Sequence, residues 1–224
     1  MTAAILRFPG TNCERDTAWA FEEAGAKTAI VWHTDTQLPS KTDLVVIPGG
    51  FSYGDYLRCG AIARLSAIMS AVKAFAENGG KVLGICNGFQ ILLEAGLLPG
   101  AMRRNENLHF ISRLQRLLVV SANNRFTSKL KETALLTMPI AHAEGNYYID
   151  ADGLKSLRDN DQIVLTYCDE EGRGVNVNGA EAGIAGICNK KKNVFALMPH
   201  PERAASGRLG STDGLLLIKS VLES

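Results

Sequence analysis

Little in this sequence points to recognition by charge, to a membrane or to oxidative cross-linking. The 24 basic and 23 acidic residues leave a net charge of +1. That provides no basic footprint for nucleic acid and no polybasic patch for a membrane surface. No apolar run approaches the roughly 18 residues needed to span a bilayer. The segment after Met1 lacks a basic start followed by an apolar stretch of signal-peptide length, so a cytosolic protein is expected. The cysteines, Cys13, Cys59, Cys86, Cys168 and Cys188, are odd in number and never in C-x-x-C spacing. A disulfide framework or a zinc knuckle is therefore not expected, and no metal is. No G-x-x-x-x-G-K-[ST] loop is present, so ATP has no recognisable seat in this chain. Histidine is scarce too: His33, His109, His142 and His200 are the whole supply of imidazole bases. Repeats, low-complexity segments and linkers are missing. Residues 1–224 are accordingly read as one domain, 46% hydrophobic and long enough for a sizeable core.

What is present in the first half is an alternation of apolar strands and helices. Strands are predicted at 3–8, 28–32, 43–47 and 82–85. Helices are predicted from a cap at Thr11 or Asn12 to Gly25, over 60–78, and from 87 to about 95. Strands that are apolar throughout indicate a parallel sheet covered by helices on both faces. The second half reads as antiparallel additions, with strands at 114–121, 135–141, 162–168 and 182–187. A hairpin turn at 189–193 then returns a strand at 194–198 to the parallel core, and a C-terminal amphipathic helix covers 213–222. The fold class is thus α/β: a mainly parallel open sheet with antiparallel additions. In such sheets ligands bind at the carboxyl ends of the strands.

Three features lie at those ends. Gly84-Ile85-Cys86-Asn87-Gly88 is a G-x-C-x-G corner between a strand and a helix. It is the thiol counterpart of the nucleophile elbow, with the sulfur at a helix N-terminus where a thiolate is favoured. A buried cysteine on a strand is more often a small hydrophobe, so the corner needs support from elsewhere. His200 stands between Pro199 and Pro201, with Glu202 two residues on. This suits a base held in one tautomer by a carboxylate, although a solvated turn histidine reads the same way. Pro48-Gly49-Gly50-Phe51 bends the chain at a third strand end. There the Gly50 N–H, with the Asn87 N–H, is placed to hold an oxyanion.

Taken together, P-G-G, then G-I-C-N-G-x-Q, then H-P-E resemble the class I (triad) glutamine amidotransferases in both order and type. Residues 7–17, 49–63 and 139–146 also resemble one branch of that family, the glutaminase subunits that serve phosphoribosylformylglycinamidine synthase. The resemblance implies a flavodoxin-like sheet and a catalytic triad of Cys86, His200 and Glu202, with an oxyanion hole at Gly50 and Asn87. It assigns the amino-acid end of glutamine to Gln90 and to the main chain around Gly49, Phe51, Gly145 and Asn146. It further implies hydrolysis of glutamine to glutamate and ammonia through a Cys86 thioester. The partners would be a separate synthetase subunit, which binds ATP and Mg, and a small accessory subunit. The synthetase would turn formylglycinamide ribonucleotide into its amidine in purine synthesis. No cofactor is expected in this chain. His142 is a rival base, or a satisfied histidine at a strand end. Arg15, Asp55 and Arg58 fall in the branch-specific loops, either positioning a loop, touching the partner or lying idle. Two other functions share these features: an autonomous Cys-His hydrolase of the same fold, and a binding protein built on the scaffold. Gln90 and the 51–63 loop favour a glutaminase over the first; an intact triad favours it over the second.

Overall fold

A computed structural model describes residues 1–223. The chain runs β1 (Thr2–Arg7), α1 (Glu14–Glu23), β2 (Lys27–Trp32), β3 (Leu44–Ile47), α2 (Ile68–Glu77), β4 (Lys81–Ile85) and α3 (Asn87–Glu94). It continues β5 (Ala101–Arg103), β6 (Ile111–Val119), β7 (Leu135–His142), β8 (Asn146–Tyr148), α4 (Ala151–Asp159), β9 (Ile163–Cys168), β10 (Ile184–Cys188), β11 (Val194–Leu197) and α5 (Asp213–Glu223).

Nine strands form one sheet in the order β2-β1-β3-β4-β11-β10-β9-β6-β7. The pairs from β2 to β11 are parallel, and those from β11 to β7 are antiparallel. The interior strands β3, β4, β10 and β11 are buried at every position, as strands covered on both faces must be. The edge strand β7 alternates buried and half-buried residues. It also tolerates Pro139, whose missing N–H costs least at an edge.

From β1 the chain moves one way to β2, and from β3 the other way to β4. Right-handed crossovers then place α1 and α2 on opposite faces and open a crevice between the ends of β1 and β3. The two loops leaving those strands are tied by a bridge between Thr11 and Gly50. Buried polar side chains lock the periphery. Lys81 donates to the Val221 carbonyl in the last turn of α5, at 2.8 Å, and the Asn193 amide donates to Ala76 and Gly80, both at 2.8 Å.

Four expectations change. The helix expected over 60–78 is confined to Ile68–Glu77, because Ser66 is extended (φ −63°, ψ 147°) and breaks it from the 3-10 turn Ala63–Leu65. The apolar spacing runs on through Leu65, but that side chain is exposed. Neither Thr11 nor Asn12 caps α1; Cys13 does so without a side-chain bond. The Thr11 hydroxyl accepts from Phe8 N–H instead. The strand expected at 182–187 starts at Ile184, after a 3-10 turn with Ala182 at φ 51°. Finally β5, β8 and α4 are additional. α4 has mostly polar residues and a glycine at position 153, and a side-chain cap from Asp150 to Gly153 N–H starts it. Among the described residues no helix is long and apolar enough to cross a membrane.

Candidate active site

The elbow is built by close approach. A Cβ on Gly88 would stand 1.9 Å from the Ile47 carbonyl oxygen, and one on Gly84 would meet Leu92 at 2.6 Å and the Gly88 backbone at 2.8 Å. Only glycine lets α3 start hard against β3 and β4. Between them Cys86 takes φ 51°, ψ −105°. That strained setting costs a side-chain-bearing residue on the order of 1–3 kcal/mol, and the interior packing on both sides holds it. Cys86 N–H donates to the Leu197 carbonyl at 2.8 Å, which fastens the corner to β11. Cys86 is 6% exposed, and its sulfur donates to the Ala141 carbonyl at 3.8 Å.

β11 lies beside β4 in register, with Leu197 opposite Ile85, so the chain leaving β11 delivers His200 next to the elbow. Its backbone N–H is pinned to the Pro139 carbonyl of β7 at 2.8 Å. His200 Nδ1 and Glu202 Oε1 are 2.6 Å apart, in side chains that are 2% and 0% exposed. Burial alone would lower the imidazole pKa. The Glu202 carboxylate, then the Cys86 and Cys13 sulfurs, outweigh it and raise it well above the ordinary value. His200 Nε2 has no hydrogen-bond partner among the described residues. With one nitrogen on a carboxylate and the other free, this imidazole can carry a proton to and from a neighbour.

Two linked clefts meet at Cys86. One is lined by Gly50, Phe51, Asp55, Cys59, Gln90, Ala141, His142, Ala143 and Glu144. The other is lined by Asn12, Cys13, Gly50, Phe51, Phe110, Ser112, Ala141, His200 and Arg203. Gly50 and Phe51 border both, and the main-chain N–H groups of Gly50 and Asn87 make no hydrogen bond among the described residues. The Asn87 side chain is fully engaged: it accepts from Ser52 N–H at 3.1 Å and donates to Gln90 Oε1 at 2.8 Å. Gln90 Nε2 in turn donates to the Glu144 carbonyl at 2.6 Å. Gln90 thus borders the cleft and also holds its far wall.

Gly49, Gly145 and Asn146 do not border the clefts. The Gly49 carbonyl accepts from Cys13 N–H at 3.3 Å. Gly145 spends its N–H on Asn105 Oδ1, at 3.1 Å, and its carbonyl on Asn178, at 2.7 Å. Asn146 pairs with Arg103 between β8 and β5. Ala143 and Glu144 border the first cleft. Asn105, which no sequence signal marked, holds them there. Its N–H donates to the Ala143 carbonyl and its amide to the His142 carbonyl, both at 2.8 Å.

His142 is not poised as a base. Burial, helped by the charge on His200, lowers its pKa to about 4, and its Nδ1 lies 3.1 Å from Asn105 Oδ1. Cys13 and Cys59 both border the clefts. Burial first, then the charges of Asp55 and Glu144, push the Cys59 thiol far up, so it stays protonated and inert. Arg58 makes a bidentate pair with Glu94 of α3 at 2.6 and 2.7 Å, which anchors the 51–63 loop. Arg15 is exposed.

Residues 1–211 match the family described as CobB/CobQ-like glutamine amidotransferase domain. The chain is 60% identical to the phosphoribosylformylglycinamidine synthase subunit PurQ of Wolinella succinogenes, over 99% of each chain. It is also 60% identical to that of Helicobacter hepaticus, over 99% of this chain and 97% of the other. A chain in the solved structure of PurLQS from Thermotoga maritima superposes with a TM-score of 0.88 at 38% identity, covering 99% of this chain and 97% of that one. The chain belongs to the CobB/CobQ-like glutamine amidotransferase family, in its branch of PurQ subunits of phosphoribosylformylglycinamidine synthase.

Proposed function

We propose that this protein is the glutaminase subunit of a phosphoribosylformylglycinamidine synthase. The observation that carries the mechanism is the placement of Cys86 and the buried His200–Glu202 pair at the ends of neighbouring strands β4 and β11. The Cys86 thiolate attacks the side-chain amide carbon of glutamine. The carbonyl oxygen becomes an oxyanion, held by the free N–H groups of Gly50 and Asn87. His200, charged after taking the thiol proton, returns a proton to the departing nitrogen, and ammonia leaves. The γ-glutamyl thioester is then attacked by water, which gives its proton to His200; glutamate departs and the thiol is restored. Gln90 and the 141–144 wall enclose the amino-acid end of the substrate.

The names of the relatives support the partnership with a synthetase; the ATP and Mg chemistry there is part of this proposal. Ammonia passes to a synthetase subunit, assisted by a small third subunit as the PurLQS assembly suggests. There ATP, with Mg, drives amidine formation on formylglycinamide ribonucleotide. Five unpaired cysteines suit a reducing cytosol.

The test is Cys86→Ala in the reconstituted complex. Glutamine-dependent synthesis should fall to background, while synthesis from added ammonium should continue at the wild-type rate. Loss of both activities would overturn this division of labour.

A further inference from the structure

A second sulfur stands against the same histidine. Cys13 Sγ, a ring nitrogen of His200 and a carboxylate oxygen of Glu202 all lie within 4.8 Å of one another. The residues are 1%, 2% and 1% exposed. Thiolate, imidazole and carboxylate are the donors that Zn2+ accepts. Two of these side chains carry a buried polar atom with no partner among the described residues, His200 Nε2 and Glu202 Oε2. Such atoms are rare in a folded chain and call for a partner.

The cluster already attracts a cation. Arg203 Nη2 donates to Cys13 Sγ at 3.1 Å, and its Nε lies 4.0 Å from Glu202 Oε1. The Arg203 side chain is 38% exposed, so it can turn out to solvent and yield its place to a smaller, doubly charged ion. Cys13, His200 and Arg203 border a common cleft that also contains Asn12 and Phe51, which gives the ion a way in.

We propose that Cys13, His200 and Glu202 form a binding site for a divalent cation of the Zn2+ class, and that its occupancy reversibly silences the site at Cys86. The ion replaces the Cys13 thiol proton and takes one imidazole nitrogen and one carboxylate oxygen; the displaced protons go to solvent. Water fills the fourth position of the tetrahedron. A metallated His200 can neither accept the Cys86 proton nor return one to ammonia. Cys86 lies outside the ligand set. The silencing rests on the glutaminase function proposed above; the binding does not.

Cobalt reports sulfur ligation directly, through its thiolate-to-metal absorption. Titrated with Co2+, the Cys86→Ala chain should develop that band, and Zn2+ should bleach it. Adding Cys13→Ser should remove the band and weaken Zn2+, measured against a chromophoric chelator, by at least about tenfold. Arg203→Gln should tighten Zn2+ binding, since a competing cation is gone. In assays, Zn2+ should stop the wild-type enzyme, a chelator should restore it, and Cys13→Ser should resist the ion. A band that survives Cys13→Ser, a band missing from Cys86→Ala, or unchanged affinity in Arg203→Gln would each overturn the assignment. Should the protein have no glutaminase activity at all, the spectra would still decide the site.

Discussion

Glu202 is 1% exposed and has one close partner, His200. A carboxylate is buried at this cost only when it is paired, and here the pairing fixes both the ring and its charge. Glu202→Gln keeps the shape and removes the charge. We expect kcat for glutamine hydrolysis to drop by about 10²- to 10⁴-fold with the circular dichroism spectrum unchanged; unaltered kinetics would remove Glu202 from the mechanism. His200 and Glu202 were legible in the sequence because two prolines mark their turn, just as Gly84 and Gly88 mark Cys86. Asn105 and Glu144 carried no such mark. Asn105 acts by hydrogen-bonding main-chain groups nearly 40 residues away, and Glu144 reaches Gln90 through a carbonyl that every residue type possesses. Their positions are set by the docking of strands β5 to β8, which leaves no local pattern.

At the scale of elements the elbow is a contact between β3, β4 and α3. Gly88→Ala drives a methyl group to 1.9 Å from the Ile47 carbonyl, and the backbone on both sides is locked in a sheet and a helix. A destabilisation of roughly 3 kcal/mol is expected from overpacking of this kind, measured by urea denaturation, together with loss of glutaminase activity. A variant as stable as wild type would show that α3 can withdraw from β3. The same region marks where periodicity misleads. Residues 60–67 keep a helical spacing of apolar side chains, yet they form turns, because the Arg58–Glu94 pair and the extended Ser66 set their path. Conversely α4 has little apolar character and forms through its Asp150 cap. Spacing identifies the elements that build the core; those that only border it are decided by caps, pairs and turns.

At the scale of the whole molecule the fold carries a built-in acid sensitivity. His142 has a pKa near 4 in the folded chain, against about 6.5 unfolded. Between those values the unfolded state binds more protons, so stability is unaffected above pH 6.5 and falls as the pH drops toward 4. The shift corresponds to a loss of up to roughly 3 kcal/mol from this group. Denaturant midpoints measured from pH 7 to pH 4 should fall less steeply in His142→Gln than in wild type; parallel curves would refute the burial of a neutral imidazole there. The parallel half of the sheet was readable from its continuous apolar strands, and β11 rejoining it from the return of the 189–193 hairpin. The order β10-β9-β6-β7 was not, since antiparallel partners are chosen by surface complementarity between segments far apart in the chain.

The bond from Cys86 N–H to Leu197 has a consequence for how the protein comes into being. β4 is synthesised early, but the strand that completes its corner and brings in the base arrives only near the end of the chain. Every β-strand that enters the large sheet precedes His200. A growing polypeptide on the ribosome therefore holds its thiol without a base or a finished corner. Cys86 and His200 come together only once β11 has entered the sheet between β4 and β10, so the onset of ammonia release reports on the docking of that strand.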